Sequence, residues 1–336
     1  MPKEGEEVEV PSLPLKIGII GCGGIASAHL KALQQIPDVK LSAFSDIVVE
    51  RARSFAEAVG GGAIYKDYHG MLENERLDAC YICIPPFAHT DQELLCVEKG
   101  IPFFVEKPVA LTLEKAKEID AAVEKAGLIT QVGYVLRFND AMVRALEILR
   151  REGGQIALYQ AIRLGGIPGT PWWRRMELSG GQLVEQSTHM VDQARWIIDS
   201  EASEVYAKFD YSLLKDVPDF NIEDVSIVSI AFENGALACI TSSCAAKKGS
   251  MEAWIIAKNL QIESDGSSVR VIRVGGEVIE MKPEKTALVE EDKHFIECVK
   301  RGTKTLVPYR EGLKTLEVTL AAVKSAKEGK PIRLPL

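Results

Sequence analysis

No run of about 18 apolar residues occurs in this 336-residue chain, which excludes an ordinary membrane-spanning helix. The apolar stretch after Lys16 is short and is broken by glycines at 18, 21, 23 and 24. Basic blocks are missing as well. Arg150–Arg151 and Arg174–Arg175 are isolated pairs in a chain of net charge -8, so no basic stripe is available to neutralise nucleic-acid phosphates. Residues 1–14 hold four glutamates and one lysine and lack a basic segment followed by an apolar core. They read as a solvated acidic tail rather than a signal peptide. Histidine is scarce, with five in all, and cysteine is not arranged to staple the chain. Seven cysteines are an odd number, scattered widely, and fit reduced thiols in a cytoplasmic protein. Cys80 and Cys83 form a C-x-x-C inside the strand-like run Ala79–Ile84, where an offset of three sends the thiols to opposite faces. No second C-x-x-C or histidine pair completes a tetrahedral site, so no metal is expected.

What is present divides in two, as the length alone suggests. Over residues 15–134, short and nearly continuously apolar runs alternate with helical stretches. Strands are expected at 16–21, 40–46, 63–65, 78–84, 102–105 and 128–134, and helices at 25–36, 49–59, 68–74, 89–99 and 112–126. This alternation predicts an α/β Rossmann domain with a doubly wound parallel sheet. From 135 to 336 the pattern changes. Helices are expected at 139–152, 183–199, 287–301 and 310–327, with strands at 157–165, 203–213, 224–233, 236–246, 251–264 and 268–281. Asn234–Gly235 marks a hairpin in which both residues tolerate φ > 0. Consecutive strands with grouped helices predict an α+β domain whose open, mostly antiparallel sheet carries helices on one face. The other face suits a second subunit, so a homodimer or homotetramer through this sheet is expected.

Gly21-Cys22-Gly23-Gly24-Ile25-Ala26 is a G-x-G-x-x-A directly after a strand and opening a helix. Gly21 permits the tight turn, Gly23 lets the backbone approach a pyrophosphate, and Ala26 lets helix pack on strand. With Gly24 and Ile25 it forms a helix N-terminus that offers free N–H groups to an anion. Asp46 ends the second strand 20 residues beyond Ala26, where a carboxylate binds ribose hydroxyls and repels a 2′-phosphate; the next arginine is Arg51. NAD is therefore expected in preference to NADP, although Asp46 could instead serve as a helix cap.

Three motifs then identify a likeness. They are the glycine loop, Ile84-Pro85-Pro86-Phe87-Ala88-His89 followed after a helix by Phe104-Val105-Glu106-Lys107-Pro108, and Ser179-Gly180-Gly181-Gln182-Leu183-Val184-Glu185-Gln186-Ser187-Thr188-His189. Residues 16–134 and 135–330 together resemble the glucose-fructose oxidoreductase/inositol dehydrogenase/MocA family. The second and third motifs resemble its T-P-N-x-x-H with E-K-P and its G-G-G-x-x-x-D-x-G-x-H. Ile84 and Pro86 replace the threonine and asparagine of the second motif, and Gln182 and Glu185 replace a glycine and the aspartate of the third.

The resemblance implies that Lys107 contacts ribose and substrate hydroxyls and that His189 accepts a proton, alone or with the lysine. Ile84, Pro85, His89 and Glu106 are placed beside the cofactor. Oxidising a secondary alcohol needs a cation for the developing alkoxide and a base near neutrality. Lys107 follows an apolar strand at the carboxyl edge of the sheet, where open α/β sheets bind ligands, and Pro108 restricts its backbone. Glu185 and His189 are i and i+4 on one helix face, a pairing that suits acid–base exchange. Asp192 could line the cleft or pair with Arg195. Trp172 and Trp173 suit the C–H face of a sugar ring and Arg174 its hydroxyls or a carboxylate, while Arg137 could face substrate or staple structure.

The expected function is NAD-dependent hydride transfer from a secondary alcohol of a sugar, cyclitol or related polyol. The same groups would serve a redox-neutral, glycoside-cleaving lyase or hydrolase that oxidises its substrate transiently. A non-catalytic NAD-binding sensor or scaffold would more naturally lack the lysine or the histidine, and Lys107 and His189 are both present.

Overall fold

In the computed structural model, which describes residues 13–336, the chain sorts into two units. Residues 1–12, most of the acidic tail, lie outside the described residues. The first unit comprises residues up to 109 together with 114–133 and 288–311; the second comprises 110–113, 134–287 and 312–336. A second domain running unbroken from 135 to 336 is thus corrected. Segment 288–311 belongs with the first unit because Phe295, Ile296 and Val299 are buried in its core.

The first unit alternates β1 (Leu15–Ile20), α1 (Gly24–Leu33), β2 (Val39–Ser45), α2 (Val49–Ala58), β3 (Ala63–Tyr65), α3 (Tyr68–Asn74), β4 (Ala79–Ile82), α4 (Gln92–Glu98), β5 (Phe103–Val105), α5 (Leu113–Ala126) and β6 (Thr130–Val132). Its sheet is wholly parallel in the order β3-β2-β1-β4-β5-β6. That is the dinucleotide-binding order, with the chain reversing its direction of travel between β1 and β4. Ile17, Ile19, Ala79, Tyr81 and Phe104 are buried against Leu30 and Leu33 of α1. Burial on both faces explains the unalternating apolar runs.

The second unit holds α6 (Asp140–Ile148), β7 (Ile156–Leu164), α7 (Met176–Ser179), α8 (Thr188–Ile198), β8 (Ala202–Asp210), β9 (Val225–Phe232), β10 (Leu237–Ser243), β11 (Ser250–Ala257), β12 (Leu260–Ser264), β13 (Val269–Arg273) and β14 (Val278–Met281). Helix α9 (Ala287–Arg301) follows and returns to the first unit, and α10 (Tyr309–Glu328) and β15 (Ile332–Arg333) close the chain. The sheet order is β14-β13-β12-β11-β7-β10-β9-β8-β15, antiparallel except where β7 meets β10. Burial alternates strictly along much of β9 and β10, so one face meets α6, α8 and α10.

Several boundaries differ from expectation for local reasons. The spans 251–264 and 268–281 are each two strands. The first reverses at Lys258 and Asn259, whose amides donate to Gln155 and Gly153 carbonyls; the second reverses through Gly275 and Gly276, both at positive φ. In the Asn234–Gly235 turn only Gly235 has positive φ (87°). Ala236 N–H donates to Asn234 Oδ1, and the loop is a turn with a glycine bulge rather than a two-residue mirror turn. The expected helix 183–199 starts as a π turn, Leu183–Ser187, before α8. Among the described residues no helix is long and apolar enough to cross a membrane.

Candidate active site

In the first unit the chemistry begins with backbone. Gly21 adopts φ +85°, its N–H donates to Ser45 O at 2.8 Å, and a Cβ there would lie 2.4 Å from Cys83 O. Glycine is therefore obligatory at that turn, and Ile84 packs on it. Gly23 and Gly24 are different. A Cβ on either would meet no protein atom within 4 Å, so the protein itself does not require glycine there. An open side at a helix N-terminus is the space a pyrophosphate backbone needs. Ala26, in the first turn of α1, is fully buried, as the motif requires.

Asp46 is brought to this loop and braces it. Its Oδ2 accepts from Cys22 N and its Oδ1 from Val48 N, both at 2.8 Å. The carboxylate thus joins the glycine loop to the entry of α2, and each oxygen keeps a second lone pair. Exposed apolar side chains follow the same strands: Ile47, 83% exposed, and Val48 after β2, Ile25 after β1 and Phe87 after β4. These three strands are neighbours in the sheet.

After β4, Pro85 precedes a short 3-10 turn, Pro86–Ala88. His89 does not begin a helix as expected; α4 starts at Gln92, and His89 Nδ1 instead pairs with the buried Glu93 carboxylate of its first turn. Glu106 and Lys107 follow β5. Glu106 is buried, taking Lys107 N–H at 3.2 Å on one oxygen and His29 Nε2 at 3.1 Å on the other. His29 Nδ1 lies 2.8 and 3.1 Å from the oxygens of Asp292. Neither His29 nor Asp292 was singled out in the sequence, because α1, β5 and α9 are distant along the chain.

In the second unit the π turn carries Glu185 and leads into His189. Glu185 is buried and accepts from Gln186 Nε2 at 2.7 Å, while Gln186 Oε1 accepts from Arg163 Nη2 at 3.0 Å. The Tyr134 ring meets His189 edge to face at 5.9 Å. A π turn adds a residue to a helical turn and recurs at functional sites. Glu223, another residue missed in the sequence, caps it: its Oε1 accepts Leu183 N at 2.6 Å. Burial, opposed by backbone hydrogen bonds from Leu183, its own amide and Gln182, pushes Glu223 up to about 7, and the neighbouring Asp224 adds to the rise. Gly181, at φ +96°, leaves room for this carboxylate, since a Cβ there would lie 2.5 Å from Glu223 Oε2.

The Arg137 guanidinium, open in the sequence between substrate and structure, forms a two-pronged pair with Asp192 at 2.7 and 2.8 Å, with both groups buried in the second unit. Asp192 thus pairs with Arg137, and Arg195 Nη1 donates to Thr315 at 2.9 Å. Trp172 and Trp173 stack at 6.0 Å with their planes 14° apart. Arg174 Nε donates to Pro168 O at 2.7 Å, buckling the loop that bears both tryptophans.

Comparison with known proteins accounts for this assembly. Residues 15–134 match the oxidoreductase family with the NAD-binding Rossmann fold, and residues 144–263 match the GFO/IDH/MocA C-terminal domain. The chain is 28% identical to myo-inositol 2-dehydrogenase of Thermotoga maritima, covering 95% of this chain and 98% of that one. It is 27% identical to scyllo-inositol 2-dehydrogenase (NAD(+)) of Bacillus subtilis over 95% and 96%. A crystal structure of a probable dehydrogenase from Thermotoga maritima superposes with a TM-score of 0.83 at 26% identity, covering 95% and 98%. With the parallel-sheet order, the glycine loop and both family domains in place, this chain belongs to the Gfo/Idh/MocA family and is an NAD-binding dehydrogenase.

Proposed function

We propose that the enzyme oxidises a secondary alcohol of a cyclitol or related sugar polyol, using NAD in preference to NADP. The observation that carries this is the glycine loop, with open space at Gly23 and Gly24 and the Asp46 carboxylate beside it. Relatives named as inositol dehydrogenases over nearly their full length supply the substrate class. Glycine-loop amides at the α1 N-terminus take the pyrophosphate, and Asp46 accepts the ribose hydroxyls and repels a 2′-phosphate. Ile47 and its apolar neighbours give the adenine an uncharged bed, and the loops bearing Ile84, Pro85 and His89 and Glu106 and Lys107 complete the cofactor's surroundings. Bound NAD supplies the hydride acceptor.

Lys107 stabilises the developing alkoxide, and His189 takes the hydroxyl proton, with the buried Glu185 one turn before it. The stacked Trp172–Trp173 plate suits the C–H face of a ring. Substrate enters as a small molecule; no nucleic acid, membrane or metal takes part in this proposal. The seven free cysteines fit a reducing, cytoplasmic setting. The sheet face away from the helices presents Ile227 and Leu237, both about half exposed, and suits a second copy of the chain.

The test is direct. Lys107→Ala and His189→Ala are each expected to lower turnover roughly a hundredfold or more while NADH binding, read by fluorescence, survives. Net accumulation of NADH with a polyol supports this reading. Turnover without net NADH would replace it with redox-neutral cleavage, and undiminished turnover in both variants would remove the mechanism.

A further inference from the structure

One charged cluster in the first unit contains two residues, His29 and Asp292, that do no work in the chemistry above. His29 on α1, Glu106 at the end of β5 and Asp292 on α9 come from three remote segments and meet in the interior. His29 is 0% exposed, and both of its ring nitrogens face carboxylate oxygens: Nδ1 faces the two of Asp292 and Nε2 faces Oε1 of Glu106. A neutral imidazole has one donor and one bare lone pair, and would turn that lone pair onto a carboxylate at about 3 Å. Two protonated nitrogens satisfy both contacts. The Phe104 ring packs against His29 at 4.8 Å and the Tyr81 ring at 5.5 Å, so water does not compete. Burial alone would lower the proton affinity of His29, but Asp292 and then Glu106 outweigh it and raise the ring to about 10. Asp292 is itself raised by burial and drawn back by the imidazolium. The other ionisable neighbours, Tyr81, Cys83 and Glu291, are neutral or acidic and offer no competing cation.

The second oxygen of Glu106 accepts the amide of Lys107. Gly133, after β6, makes room for this arrangement, since a Cβ there would stand 2.7 Å from Glu106 Oε1. The carboxylate is therefore held on both oxygens, by the His29 ring and the Lys107 amide, in space that Gly133 leaves open.

We propose that His29, as an imidazolium held by Asp292, is a positioning residue that fixes Glu106 and through it the backbone from which Lys107 extends. This rests on the role given to Lys107 above. A displacement of about 1 Å at a reacting group can cost on the order of a hundredfold in rate, so a locked anchor for the lysine matters to turnover.

The first test uses the wild-type protein. With ¹⁵N-labelled histidine, one imidazole is expected to keep both nitrogens protonated at a pH of about 8.5, where free histidine has lost its charge, and that signal is absent from His29→Gln. The second test is kinetic. His29→Gln is expected to lower kcat roughly tenfold, leaving the polyol KM and the fluorescence titration with NADH within about twofold. Asp292→Asn removes the partner that raises His29 most, so the ring titrates at lower pH and kcat gains an alkaline limb, falling as pH rises. That limb is absent when His29→Gln is added.

A neutral His29 ring at pH about 8.5 overturns the proposal, as does a folded His29→Gln enzyme with wild-type kcat across the pH range. If His29→Gln does not fold, the wild-type spectrum and the Asp292→Asn profile decide. Full turnover in Lys107→Ala would remove the lysine's role and this inference together. An inactive Lys107→Ala beside an unimpaired His29→Gln would remove this inference alone.

Discussion

The two units hold most of their candidate groups in different ways. In the first, the decisive elements are stretches of main chain: the Gly21 turn, the open flank at Gly23 and Gly24, and the strand ends that carry Asp46 and Lys107. A parallel sheet puts all its carboxyl ends on one edge, so short loops after β1, β2, β4 and β5 suffice to assemble a ligand surface. In the second, a mixed sheet has no such edge. Its groups are held by long-range side-chain contacts, Arg137 on Asp192 and Glu223 on the π turn before His189. A loop made of backbone is robust to side-chain change but intolerant at particular glycines, whereas groups held by buried pairs, the Glu106 anchor of the first unit among them, fail when one partner is removed.

The largest effect should come from the second unit. Arg137→Leu leaves Asp192 buried without its principal cation and is expected to cost about 3–5 kcal/mol in chemical denaturation. The double variant Arg137→Leu/Asp192→Leu should recover much of that. If the single change were neutral, the contrast between the units would fail.

Next come two alanines on the same loop. Gly21→Ala must adopt φ +85° and collide with the Cys83 carbonyl, so both melting temperature and NADH binding should fall. Gly23→Ala meets no protein atom, so its melting temperature should hold while NADH binding weakens roughly tenfold or more. A Gly23→Ala protein that binds NADH normally would show that the open flank is not the cofactor's.

The smallest effect concerns pH. Glu223 binds its proton more tightly in the folded chain, at about 7 against an ordinary 4.5. The native state then holds more protons than the unfolded one between those values, so stability falls as pH rises through the window from 4.5 to 7. Glu223→Gln should flatten that part of the profile in thermal melts, and an unchanged slope would remove Glu223 from the account.

Much of the first unit was legible because its signals are local. Short continuous apolar runs separated by helical stretches read as buried parallel strands, and residues 63–65 and 68–74 fall where they were expected. The glycine loop is read within six residues. The second unit was harder to read where the chain departs from regular periodicity. Apolar residues resume at Leu260, so a strand pattern carries through Lys258–Asn259 although asparagine favours turns; the reversal is fixed by backbone bonds to Gly153 and Gln155. Arg137 offered a choice between ligand and structure, and its buried partner Asp192, 55 residues on, left no mark beside it in the sequence.

The amino-acid sequence by itself determined the two kinds of sheet and the dinucleotide fingerprint, since each is written in patterns that are local along the chain. Only the tertiary structure decided that α9 returns to the first unit, that Asp292 and His29 close on Glu106, and that Glu223 caps the turn before His189. Charges buried this deeply must find partners wherever the fold brings them, and the partner's distance along the chain leaves no mark in the local pattern.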